Sequence, residues 1–256
     1  MINNAQARSE ESLMQAFRYR DEKSDKFWRS EYAGADLAVN YGRTGSAGKY
    51  QVKEFDNPGL CEKEAKKLIE SKQKKGYTAY AEFNANNHLY FDDDETGLHP
   101  LTSHPRFRAH FKDEFYYDCV NEETPFGSDE GSDTLAHIEE DMRKNKALDF
   151  AAFPKKIIET YWDMDYIPAT DLSKEAIEKL VKADEMNLIQ SDMVTYATAF
   201  AQIKIMGKLD QGLKAAALNA MNRLKTIAQI LKWGATDDPS EILLQMIRDL
   251  EGFPGV

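Results

Sequence analysis

Two cysteines, Cys61 and Cys119, are all that a chain of 256 residues offers. They form no CxxC pair, so a cysteine-based zinc site is not expected, and no disulfide framework is indicated. Long apolar runs are also missing. None approaches the roughly 18 residues that a membrane-spanning helix requires. The opening MINNAQARSE is polar and lacks the apolar core of a secretory signal. The expectation is a soluble cytoplasmic protein with no membrane partner. Positive charge is in short supply: 33 Lys and Arg against 44 Asp and Glu leave a formal net charge of −11. No HExxH metalloprotease signature and no GxSxG nucleophile elbow occurs. Neither an enzymatic activity nor a cofactor is expected from this sequence.

What is present supports a packed core. Apolar residues make up 42% of the chain, and the length admits one large domain or two ordinary ones. Charge is unevenly spread. Residues 1–83 hold 15 Lys/Arg against 13 Asp/Glu, a balance of +2, and residues 84–256 hold 18 against 31, a balance of −13. The first part reads as strands followed by a helix. In LAVNYGR the period of two puts Leu37, Val39, Tyr41 and Arg43 on one face. After Asn57-Pro58-Gly59, Cys61, Ala65, Leu68, Ile69 and Lys72 fall on one helical stripe, with Gly76 as the stop. Residues 84–131 read as a structured, loop-rich aromatic connector, in which Ser103 is a candidate cap for a short helix from Pro105 to Phe115. From 132 onward the pattern is helical. Ser132 is a candidate N-cap, SKEAIEKLVK and SDMVTYATAFAQIKIM are two amphipathic helices, and Leu213, Ala217, Ala220, Leu224, Ile227 and Leu231 form a narrow seam. A last helix starts at Asp238-Pro239-Ser240-Glu241. The predicted fold is an α+β N-terminal domain over 1–83, the connector over 84–131, and an acidic, mainly α-helical C-terminal domain over 132–256.

The stretch DLAVNYGRTGSAGKYQVKEF, residues 36–55, invites a phosphate-loop reading through its glycines and Lys49. That reading fails on spacing and topology. Five residues separate Gly42 from Gly48, where a phosphate loop has four, and Tyr50 follows the lysine where a small hydroxyl is needed. The element after the turn is a strand, so no helix N-terminus faces the supposed phosphate. The glycines instead suit a β-hairpin.

The same stretch carries a different signal. An aromatic–Gly–Arg triplet on a strand, the TGSAGKY hairpin, KEF, a helix and then KQKKGY, with KFW one strand earlier, together resemble the WGR domain over residues 13–83. The name-giving tryptophan is Tyr41 here, so the triplet reads YGR. The resemblance implies an antiparallel sheet with one helix and a nucleic-acid-binding function, best understood in DNA-damage-responsive poly(ADP-ribose) polymerases. There the aromatic packs against a terminal sugar or base and basic residues contact phosphates. By this resemblance Tyr41 is the stacking aromatic, Arg43 the triplet arginine, and Lys74 and Lys75 of KKGY a basic stretch near the nucleic-acid edge. Lys49, at the start of the return strand, joins them as a candidate. No polymerase domain is evident. The competing expectation is a protein-interaction or regulatory module, in which the basic sheet edge docks on acidic protein surface and nucleic acid plays no part.

Two further groups invite metal chemistry. FDDDE at 91–95 and FGSDEGSD at 126–133 cluster carboxylates, but neither fits the EF-hand spacing. Asp129, Glu130 and Asp133 instead suit a helix N-terminus. His88, His99, His104 and His110 match no metal signature and read as turn and surface positions.

Overall fold

Alternating side chains build the first part of the molecule. The computed structural model describes residues 12–144, 148–232 and 239–255. The chain divides into two units between His104 and Pro105. In the first, β1 (Leu13–Arg20), β2 (Asp25–Ala33), β3 (Asp36–Arg43) and β4 (Lys49–Glu54) form an antiparallel meander. A two-residue β5 (Thr78–Ala79) pairs with the outer side of β1, giving the order β4-β3-β2-β1-β5. Helix α1 (Pro58–Lys74) starts where Asn57 accepts the Leu60 N–H and Pro58 occupies the first turn, a position that needs no backbone donor. Its apolar stripe lies on one sheet face. Phe17, Trp28, Leu37 and Val39 meet Cys61 and Ala65, with Leu68 and Ile69 partly buried beside them. Each large side chain removed from water in this way contributes about 1.5–3 kcal/mol.

Residues 84–104 cover the other face. Arg29, 1% exposed, sits there under Tyr50, Phe83 and Tyr90, its guanidinium carbon 4.7 Å from the Tyr90 ring centre. It donates to the hydroxyls of Tyr90 and Tyr50, both at 3.1 Å, and pairs with Glu31 at 3.3 Å. The Tyr50 hydroxyl in turn donates a hydrogen bond to the Leu89 carbonyl at 3.0 Å. A buried cation is costly unless it is paired, and the Arg29 terminal nitrogens are matched in this way.

The second unit is helical: α2 (Pro105–His110), α3 (Asp129–Arg143), α4 (Phe153–Lys156), α5 (Lys174–Met206), α6 (Gln211–Leu231) and α7 (Glu241–Gly252). The seam predicted on α6 is buried at Leu213, Ala217, Ala220, Leu224 and Ile227 and packs chiefly against α5. Arg223 on α6 and Asp192 on α5, each 1% exposed, lock that contact with a bidentate pair. Two local expectations change. Ser128, not Ser132, caps α3 by accepting the Gly131 N–H, because the chain turns into the helix one turn earlier. Helix α2 stops at His110 instead of reaching Phe115, and a separate 3-10 turn, Glu114–Tyr117, follows. The two amphipathic helices predicted over 173–206 follow one another within α5, separated by a break at Asp184 (φ −163°, ψ 88°). The last helix is capped by Ser240, and Asp238 lies outside the described residues. Among the described residues, no helix is long and apolar enough to cross a membrane.

Candidate nucleic-acid interface

Strand register places the triplet. Tyr41 on β3 stands directly opposite Trp28 on β2 and Lys49 on β4, and residues paired in this way point to the same face. That face is the one α1 covers. The helix ends above the row of rings, and Lys72 in its last turns lies across them. Its Nζ is 5.4 Å from the Trp28 ring centre, 5.9 Å from Tyr41 and 5.4 Å from Tyr77. Partial burial lowers the Lys72 pKa, and the neighbouring charge of Lys75 lowers it further. The Lys72 stem covers the edge of the stripe, with its ammonium near three aromatic rings, an attractive arrangement. Tyr41 is half-buried and packs on the core cluster at its edge.

Arg43, two residues further along β3, is exposed at the strand end. Its backbone carbonyl holds the hairpin by accepting from Ser46 N–H at 3.0 Å and Ser46 Oγ at 2.8 Å. Its guanidinium has no ion-pair partner among the described residues. Directly across the ladder from Arg43 is Lys26 on β2, also exposed. Two like charges facing each other on a sheet repel, so this end of the face is cationic, with Lys26 also acting on the Asp21 carboxylate. Sequence reading missed Lys26 and Trp28. The signal for both was KFW on β2, whose register with YGR makes each triplet residue face one of its members.

The remaining candidates divide. Lys49 lies beside Tyr41, but its Nζ pairs with Asp94 at 3.2 Å, and that carboxylate raises its pKa. Lys74 and Lys75 are exposed at the C-terminal end of α1, where positive charge suits the helix dipole. Lys75 is the C-cap residue, its N–H bonded to the carbonyls of Lys72 and Gln73, and it is close enough to act on Lys72. Gly76 then reverses the chain at φ +85°, which brings Tyr77 back under Lys72 and beside Tyr19, ring centres 5.6 Å apart.

The carboxylate and histidine clusters are taken up by structure. Asp93 accepts from the Val52 N–H at 3.0 Å and from Thr96, closing the edge of β4. Asp92 accepts from Thr102 at 2.8 Å. Asp129 and Glu130 occupy the first turn of α3. His88 donates from Nε2 to Asn40 Oδ1 at 2.8 Å, since the Asn40 amide nitrogen already donates to Ala47 and Lys49. Asp36, Glu54 and His99 bring one ligand atom each within 4.8 Å of one another. Yet His99 Nδ1 accepts the Leu101 N–H at 3.0 Å, so Nε2 carries the ring proton and faces Asp36 with it at 3.4 Å. A metal-ligating histidine has the opposite arrangement, donating from its second nitrogen.

The chain is similar to known proteins. The model of the WGR domain matches residues 13–84. An uncharacterised protein of Escherichia coli K12, YfeS, is 52% identical over 242 residues, 94% of this chain and 99% of that one. A second protein of the same organism, YehF, is 40% identical over 72 residues, 28% of this chain and 26% of its own length. A crystal structure of a Bacteroides fragilis protein aligns at 27% identity over 50% of this chain and 39% of that one, with a TM-score of 0.27.

Proposed function

Because the chain belongs to the family of WGR-domain proteins that includes Escherichia coli YfeS, we propose that it binds nucleic acid without catalysing a reaction. The binding face runs from Tyr41 to the end of β3 and takes a duplex end or a single strand. The observation that carries this reading is the pairing of a half-exposed aromatic, Tyr41, with the exposed cations Arg43 and Lys26 beside it on one face. A ring edge and face suit a sugar or base, and stacking of this kind contributes about 1–3 kcal/mol per base. A planar guanidinium suits phosphate. Lys74 and Lys75 extend the positive track from the helix end.

Fluorescence anisotropy with short duplex and single-stranded oligonucleotides, at low salt, tests this. Tyr41→Ala/Arg43→Ala should weaken binding by about 10- to 100-fold, as loss of one stack and one phosphate contact implies. Equal binding by wild type and the double variant would remove the site. A second reading, a protein-docking module, draws on the Lys49–Asp94 pair, in which a basic edge residue is already met by a carboxylate. Under that reading no oligonucleotide binds, and an acidic protein surface is retained instead.

A further inference from the structure

The helical unit contains a cleft of about 520 Å³ lined by Glu159, Asp163, Met164, Asp165, Asp184 and Asn187. Two irregularities in the backbone open it. The helix started by α4 widens into a π turn over Ile157–Tyr161, and the chain then leaves it through Asp163 at φ +54°. On the other side α5 breaks at Asp184, whose Oδ1 accepts the Asn187 N–H at 3.1 Å and so restarts the helix. The strip that follows the π turn is held in place by Arg223, which donates to the carbonyls of Ile167 and Pro168 at 2.6 and 3.0 Å.

Four carboxylates therefore share one concavity. Among the described residues, the cation paired with them is Lys155, 3.7 Å from Glu159, and Asp163, Asp165 and Asp184 have no cationic partner. A separate observation concerns Asn187, 5% exposed and the one buried member of the lining. Its Nδ2 donates to the Asp165 carbonyl at 2.8 Å, which determines the orientation of the amide. Its Oδ1 is buried and, among the described residues, has no hydrogen-bond partner, a costly condition for a carbonyl oxygen. Carboxylates accept and do not donate, and the spare amide atom is an acceptor too. None of the side chains that line the cleft is positively charged, and the Asn187 amide donor is already engaged.

Size and spacing choose the kind of cation. Among the described residues, the cluster that brings three acidic or histidine ligand atoms within 4.8 Å is Asp36, Glu54 and His99. The cleft carboxylates do not converge at the spacing a bare metal ion needs, and 520 Å³ is far more room than such an ion fills. We propose that this cleft binds a small organic polycation of the polyamine or guanidinium class, its charged groups spread over Asp163, Asp165 and Asp184 and one donor hydrogen directed to Asn187 Oδ1. The Met164 side chain, flexible and apolar, faces the methylenes between the charges.

Isothermal titration calorimetry with spermidine at low ionic strength tests the proposal. Saturable binding near one per chain is expected, weakened about tenfold by Asp163→Asn/Asp165→Asn, since two exposed charge contacts together are worth about that factor. Both positions are exposed, so the fold should tolerate the change, and circular dichroism checks it. The control, Glu122→Gln/Glu251→Gln, removes two exposed acids elsewhere in the unit and should leave the affinity unchanged. Spermidine should also shift the Asn187 side-chain amide resonances. Competition by a short Lys/Arg peptide tells a free polyamine from a basic side chain: tighter binding of the peptide identifies the side chain as the source. Absence of binding, equal weakening by both double variants, or displacement of spermidine by micromolar Ca²⁺ or Mg²⁺ would each overturn the proposal.

Discussion

His88 is a neutral imidazole at physiological pH because its surroundings penalise the charged form. Burial is the larger cause and the nearby Arg29 guanidinium the second, and together they push its pKa down to about 3. An unfolded chain titrates its histidine near 6.5. On acidification the unfolded state therefore takes up the proton first. The stability that His88 contributes is complete above about pH 6.5 and is lost as pH falls toward 3. Denaturant melts between pH 7 and 4 should show wild type losing up to about 1.4 kcal/mol per pH unit more than His88→Gln. Parallel curves for the two proteins would assign the acid sensitivity elsewhere. At this scale the alternation on β3 was readable, and it put Tyr41 and Arg43 on one face. Lys26 was not readable as their neighbour, because its place depends on which β2 residue pairs with which β3 residue, and residue types do not state a register.

At the level of elements, the β3–β4 hairpin shows what its glycines do. Gly48 takes φ +72°, and a Cβ there would lie 2.7 Å from both the Phe27 ring and the Tyr41 carbonyl. Gly45 also has positive φ, +87°, but a Cβ there meets nothing within 4 Å. Gly48→Ala should cost at least about 2 kcal/mol, from left-handed strain together with the clash. Gly45→Asn should cost less than about 1 kcal/mol, since asparagine adopts this conformation readily. Thermal melts of the two variants compare them directly, and similar losses would mean that the close approach to Tyr41 does not matter. The hairpin and the stripe of α1 were legible because each depends on neighbours within a few residues. The start of α3 was not. Ser128 and Ser132 both precede plausible first turns, and the choice falls to Gly131, where a Cβ would lie 2.5 Å from the Pro125 carbonyl. That contact belongs to the approach of the preceding loop, not to the helix sequence.

On the scale of the whole molecule, charge sets the terms of binding. The chain carries −11, which opposes approach to a polyanion and makes any association salt-sensitive. If Arg43, Lys26 and one of Lys74 or Lys75 neutralise about three phosphates, the slope of log affinity against log salt should be about −2.7 for duplex DNA. Raising monovalent salt from about 50 to 200 mM should then weaken binding about 40-fold. A slope near zero would be incompatible with phosphate contacts at this face. The same acidic excess lies mostly in the helical unit, and four of its exposed carboxylates, Glu159, Asp163, Asp165 and Asp184, line one cleft.

By itself the sequence determined the classes of structure: an antiparallel sheet with one helix, then a mainly helical part, and the YGR hairpin as the distinctive motif. Periods of two and 3.6, turn glycines and caps are local quantities, and they survive without knowledge of the partner surface. Tertiary structure alone decided four things. Lys72 lies over Trp28, Tyr41 and Tyr77, Lys26 faces Arg43, Asp94 meets Lys49, and residues 84–104 close the second face around Arg29. Each joins residues far apart in the chain. Their positions follow from strand register and from the buried surface that distant segments share, and no pattern within either segment encodes that.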